Sequence, residues 1–175
     1  MLQNGSILIT GTEWAASGGR LAHSQVVRAA AQAYREARFS AGLARLGARL
    51  TGRSSRLLDL NGVAQQVRGS HYAGLRSVRL ARIVGSEGRS EDFDGHFRPQ
   101  KTHNRERWIR VASAWLQGLT LPAVQLVQVG DAYYVRDGNH RVSVARAFGQ
   151  ESIDAEVTVW ETGATPSPAR AEPAP

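Results

Sequence analysis

Between Tyr133 and Arg146 the chain changes its hydrophobic period within a single turn, and that change limits the folds open to it. Tyr133-Tyr134-Val135 is aromatic and β-branched, which suits a pleated surface. Asp137-Gly138 is a turn pair, because glycine reaches positive φ without steric cost. From Asn139 the spacing is helical, with Val142, Ala145 and Phe148 on one side and Gly149 as the stop. The segment therefore reads as a strand that passes through a glycine into a helix N-terminus carrying His140 and Arg141 in its first turn. Free backbone N–H groups at such a position attract anions, and a guanidinium adds bidentate reach to phosphate oxygens.

Three further stretches define the frame around this turn. Ser77 to Ser86 is rich in β-branched and aliphatic residues, and Val78, Leu80 and Ile83 are expected to begin a sheet. Arg105 to Gln117 predicts a helix with Trp108, Val111, Ala112 and Trp115 on its buried side and Gly118 as its end. Val124 to Val129 and Ile153 to Val157 predict two more strands. The order helix, Leu121-Pro122, strand, hairpin, Gly138-Asn139-His140-Arg141 turn, helix, glycine, strand resembles the ParB/sulfiredoxin superfamily over roughly the C-terminal half of the chain.

That resemblance implies an α+β fold with a small mixed sheet and packed helices, preceded here by an N-terminal helical segment. It divides the chain into an Arg-rich helical region at 1–70, a ParB/sulfiredoxin-like domain at 71–161 and a Pro/Ala tail at 162–175. It also implies that Gly138, Asn139, His140 and Arg141 hold nucleotide phosphates, with Arg89 closing the opposite side from the loop after the first strand. Ser86 begins that loop. Two departures narrow the inference. Sulfiredoxins carry a catalytic cysteine at the second position of this turn, where Asn139 stands here, and an amide is no thiolate nucleophile, so sulfinic acid reduction is excluded. ParB-type partition proteins continue into a helix-turn-helix, whereas only Glu161 to Pro175 follow here, so centromere recognition of that kind is not expected.

The acids near the turn admit two readings. Asp137, Glu87, Glu91 and Asp92 suit Mg²⁺ held through one or two carboxylates with phosphates completing its shell, or a catalytic base. Asp137 before a glycine is equally ordinary turn chemistry, and Arg141 paired with it would be structural. Asp94, His96 and His103 match no metal-binding spacing, so no structural metal is expected.

Charge and composition bear on partners. Lysine and arginine total 22 against 15 acids, a formal +7, and only Lys101 is lysine. Arginine favours bidentate contacts to phosphate and carboxylate, although a codon bias toward arginine produces the same excess. Leu21 to Leu50 is rich in helix formers, with Val27, Ala30, Tyr34 and Ala37 in one stripe and Phe39, Leu43, Leu46 and Leu50 in another. The stripes fall on different faces with Gly42 between them, which predicts two helices or one kinked helix. Arg28, Arg35, Arg38, Arg45 and Arg49 form either a nucleic-acid face or a solvated surface, with Arg53 and Arg56 following.

Asn61 is expected to cap a short helix that Gly69 stops, and Gly69 to Gly74 to form a connector. Gly85 to Gln100 reads as a long polar loop, and such loops often carry function. Ser6 to Thr10 is either a short strand or an unstructured leader.

Cysteine is absent, which removes disulfides and thiolate sites. No apolar run approaches the ~20 residues of a membrane span, no signal peptide is evident, and a cytoplasmic setting is expected. The function expected from these features is a switch or DNA-associated module that binds CTP or ATP with Mg²⁺. The partners expected are the nucleotide, DNA through the N-terminal helices and, as an option, a second copy of the chain in a homodimer. The alternatives are a phosphotransferase, nucleotide hydrolase or nuclease-like enzyme on the same site, and a nucleic-acid or toxin–antitoxin-type interaction protein using the Arg-rich helices.

Overall fold

A computed structural model describes residues 22–51, 56–64 and 66–162. The expectations for Ser6 to Thr10, for Arg53 and for the tail beyond Thr162 lie outside the described residues.

The elements are α1 (His23–Thr51), β1 (Leu58–Asp59), α2 (Asn61–Ala64), β2 (Val67–Arg79), β3 (Ile83–Ser86), α3 (Arg105–Leu116), β4 (Val124–Val129), β5 (Ala132–Asp137), α4 (Asn139–Ala147) and β6 (Ser152–Thr162). The six strands form one mixed sheet in the order β1-β3-β5-β4-β6-β2. β3 pairs parallel to β5, and β4 pairs antiparallel to β5 and parallel to β6. The fold class is the expected one, α+β with a small mixed sheet and an N-terminal helix. The expected adjacency of Val124–Val129 and Tyr133–Val135 is observed directly, with Leu126 opposite Val135 and Gln128 opposite Tyr133.

The sheet is covered on both faces. Val124, Leu126, Tyr133, Val135, Ala155 and Val157 pack with Val142 and Ala145 of α4 and with Phe93 and Phe97 from the long loop. Val127, Val129 and Tyr134 pack on the other face against Leu60. A second apolar cluster joins α1 to α3 and α4 through Val26, Ala30, Tyr34, Trp108, Ala112, Leu116 and Val144. Trp108 is fully buried, its ring 5.5 Å from that of Tyr34, and its indole N–H donates to Ser143 Oγ at 2.8 Å. The helical spacing of the tryptophan stripe is thus read out as core packing.

Three local expectations are corrected. The segment from His23 to Thr51 is one continuous helix, not two, and it is not broken at Gly42. Of the first stripe Ala30 and Tyr34 are buried and Val27 and Ala37 half-buried, whereas Phe39, Leu43, Leu46 and Leu50 are exposed, so no packing among the described residues calls for a break that would bury both stripes. Glycine inside a helix costs about 1 kcal/mol relative to alanine, too little to stop one of this length.

Gly69 to Gly74 is not a connector but the middle of β2, which pairs with β6 from Val67↔Thr162 to Arg79↔Ser152. Its register shifts between Val67 and Gly69 and between Tyr72 and Gly74, so these glycines mark bulges in an edge strand and not breaks. The sheet therefore starts well before Val78. Asn61 is the first residue of its helix and does not precede it, and Asp59 Oδ1 accepts from the Asn61 N–H at 3.1 Å.

Candidate functional site

The turn predicted from Tyr133–Arg146 is built as expected in its backbone. β5 ends at Asp137, Gly138 takes φ 103°, and α4 begins at Asn139. A Cβ at Gly138 would lie 2.6 Å from Val124 Cγ1, so glycine is required both by the angle and by the close approach of β4. No side chain caps α4. The N–H groups of its first turn are thus left without an intrahelical acceptor, the condition under which a helix N-terminus binds anions.

The side chains around this N-terminus divide into two groups. Arg141 turns back beneath the turn. Its Nη1 donates to Pro122 O at 2.7 Å and Ala123 O at 2.6 Å, and its Nη2 to Asp137 Oδ2 at 2.5 Å. With 15% of its side chain exposed, its hydrogen-bonding fork is used within the protein. Of the two sequence readings of Arg141, the local ion pair is the one the geometry displays. Asn139 is also structural in part. It is buried, and its Oδ1 accepts from Ser86 Oγ at 2.8 Å, which ties the helix start to the end of β3.

His140 faces the other way, toward the loop. Its ring meets Phe93 edge-on at 5.3 Å, and its buried Nδ1 has no hydrogen-bond partner. Burial lowers its pKa, and the charges of Arg107, Arg89 and His103 lower it further against the opposing pull of Asp92, to about 4. The imidazole is therefore neutral near pH 7 in this cationic setting.

Asp92 is the hub of that setting. It is buried, with Arg89 Nη1 at 3.0 Å, Lys101 Nζ at 3.5 Å and His103 Nε2 at 3.6 Å. Burial pushes its carboxyl up, but the donors Arg89 and Lys101 and the charge of His103 outweigh it and hold the pKa below the usual range. The buried Asn104 amide acts on the same carboxylate, yet its Nδ2 has no partner in hydrogen-bond geometry.

The loop that brings these groups together is ordered by its own contacts. Asp94, 1% exposed, accepts from the His96 and Arg98 N–H groups at 3.0 and 2.9 Å and from Arg98 Nε at 2.8 Å. Phe97 takes a left-handed φ of 59° and is wholly buried beneath the Arg146 guanidinium, 5.2 Å from the ring centre. Arg146 Nη2 also donates to Leu80 O and Ile83 O at 2.6 and 2.8 Å. Arg98 Nη1 reaches Ser40 O, which ties the loop to α1.

Each remaining acid considered for Mg²⁺ or base chemistry has a cation of its own. Glu87 pairs with Arg136 at 2.9 Å, Glu91 with Lys101 at 3.2 Å and Asp137 with Arg141. Among the described residues no three His, Asp or Glu side chains converge on a common cation position. Arg28, Arg35, Arg45 and Arg49 are exposed on α1 and Arg38 is half-buried there, all remote in sequence from the turn.

Sequence reasoning brought forward Ser86, Arg89, Asn139 and His140, which the structure gathers at one helix end. It missed Lys101 and Arg107 as their neighbours, and it weighed His103 only as a metal ligand. One signal was present. Arg105 and Arg107 flank Glu106 in the first turn of α3, where the helix dipole favours the acid and disfavours the two cations. The two larger concavities lie elsewhere: about 500 Å³ between α1 and α4 beside Arg98 and Arg146, and about 590 Å³ between α1 and α3.

No protein-family profile matches the chain, and no curated protein sequence matches it. Among solved structures it is similar to the crystal structure of sulfiredoxin from Arabidopsis thaliana, at 18% identity and a TM-score of 0.32, over 47% of this chain and 82% of that one. A likeness of that size carries nothing about chemistry. No helix among the described residues is long and apolar enough to cross a membrane.

Proposed function

We propose that this chain is a nucleotide-binding module whose phosphate site is the N-terminus of α4, roofed by the loop carrying Arg89 and Asp92 and flanked by the start of α3. The observation that carries the reading is the uncapped helix N-terminus beside Arg89, His103 and Arg107, a concentration of basic side chains in which the buried Asp92 meets Arg89, Lys101 and His103. Backbone N–H groups of α4 would meet phosphate oxygens, and Arg89 and Arg107 would supply charge-assisted contacts. The residues fit a polyphosphate. They fit a protein-held cation less well, since every nearby acid already has a cation, so Mg²⁺ enters this reading with the phosphates of CTP or ATP and not on a carboxylate cage.

A switch follows from the same geometry. Arg89 is shared between Asp92 and the space over His140, so a phosphate would draw it from one to the other and change how the loop is held. A ligand shifts a conformational equilibrium only by its differential affinity for the two states, and this ion pair is where such a difference arises. Binding is favoured over hydrolysis as the reading because Asp92, held ionised by three cations, is a weak proton acceptor.

The test is equilibrium binding of labelled CTP, ATP and GTP with and without Mg²⁺, followed by product analysis. Arg89→Ala and Arg107→Ala are each expected to weaken binding about tenfold, the loss of one charge-assisted contact of ~1.5 kcal/mol. Absence of binding by all three nucleotides at millimolar concentration removes the reading. Accumulation of nucleotide products transfers it to the enzyme alternative.

A further inference from the structure

The second stripe of α1 packs against nothing among the described residues. Phe39, Leu43, Leu46 and Leu50 are 69%, 56%, 61% and 86% exposed. At 100° per residue their mean direction lies roughly 175° from that of the residues α1 buries, Val26, Ala30, Tyr34 and Ala41. The helix is therefore amphipathic twice, once toward α3 and once toward solvent. The four side chains present on the order of 400 Å² of apolar surface along one face of the helix, within the size range of the largest apolar patch on a protein, which often serves a partner.

The charge beside this stripe identifies the occupant. One flank carries Arg35, Arg38, Arg45 and Arg49, none with an ion-pair partner among the described residues. The other flank carries Glu36, Ser40 and Gly47. We propose that this outer face of α1 is a docking site for an acidic amphipathic helix of a partner protein. The stripe spacing of four, three and four residues accepts an apolar helix face packed nearly parallel to α1, and carboxylates along one edge of that helix would meet the arginine flank. Duplex DNA complements the arginines but offers nothing apolar to cover three leucines and a phenylalanine. A second copy of the chain covers the leucines but brings another helix with five arginines and one acid against the first, on a molecule of net charge +7. Only the acidic helix satisfies both halves of the surface.

The probe is a fluorescein-labelled synthetic peptide of about three heptads, with leucine at its a and d positions and glutamate at e and g. The full chain should bind it with a Kd in the micromolar range, weakening as salt rises. Leu43→Ser with Leu46→Ser should weaken binding at least tenfold with an unchanged melting temperature, because both side chains are exposed. Arg45→Glu with Arg49→Glu should abolish binding and create affinity for the same peptide carrying lysine in place of glutamate. That charge exchange keeps the test decisive if the leucine variants fold poorly. The proposal is overturned by equal binding of a scrambled peptide of the same composition, or by no binding at ~100 μM peptide in low salt. It is also overturned by duplex DNA displacing the peptide at lower concentration, or by sedimentation showing a dimer that the Leu43/Leu46 variant dissolves.

Discussion

At the scale of single residues, the turn is held by two requirements that a substitution separates. Gly138→Ala introduces a side chain at φ 103° and 2.6 Å from Val124, and should destabilise the fold by about 3 kcal/mol or more in thermal or urea unfolding. Arg141→Ala should also act on stability, through the lost contacts to Pro122, Ala123 and Asp137, with a melting-temperature drop of several degrees. Nucleotide affinity measured on the same variant should change far less than for Arg89→Ala. A large affinity loss at an unchanged melting temperature would return Arg141 to the phosphate. His140 predicts a pH dependence with a definite sign. Its folded pKa of about 4 lies below the ordinary 6.5, so the unfolded chain binds more protons between those values. Stability is thus full above pH 6.5 and lost as pH falls toward 4. A bound polyphosphate should raise this pKa, so affinity should strengthen from pH 7 to pH 5. His140→Gln should flatten both profiles.

At the scale of elements, the loop between β3 and α3 decides whether a site exists at all. From its sequence it is polar and aperiodic. In the structure Asp94 gathers the His96 and Arg98 N–H groups and the Arg98 guanidinium, while Phe93 and Phe97 enter the core. Asp94→Ala should leave those donors unsatisfied, and hydrogen exchange across 86–100 should accelerate by at least tenfold while β4 and β5 remain protected. Uniform acceleration across the domain would show the loop to be part of one cooperative unit. Helices and strands with a clear period were legible beforehand: α3, α4, β4 and β5 lie within a residue or two of where periodicity put them. β2 was not, because its two bulges place glycines where a sequence reading sees punctuation. The unbroken course of α1 was missed as well. Two apolar stripes on different faces with Gly42 between them read as a break, yet a single helix carries both.

At the scale of the whole molecule, α1 belongs to the core. Val26, Ala30 and Tyr34 cover Trp108, Ala112 and Val144, so a chain starting after Thr51 would expose a fully buried tryptophan. Such a truncation should lose cooperative unfolding or aggregate, and Trp108→Ala in the full chain should cost about 3–5 kcal/mol. A truncated chain that melts sharply at the original temperature would show that α1 is an appendage. The sequence alone determined the strand, glycine and helix of the 133–146 segment, because local spacing and one obligatory positive φ suffice to specify them. It also named the residues of the helix end, Asn139 and His140, and the loop residue Arg89. Tertiary structure alone decided which arginine serves what. Arg141, Arg98 and Arg146 are spent on carbonyl oxygens far away in sequence, the first two also on carboxylates four residues off, while Arg89, paired with Asp92, and Arg107 stand beside an uncapped helix. The physical reason is that a guanidinium's role depends on which acceptors chain crossing brings within about 3 Å, and no local pattern encodes that distance.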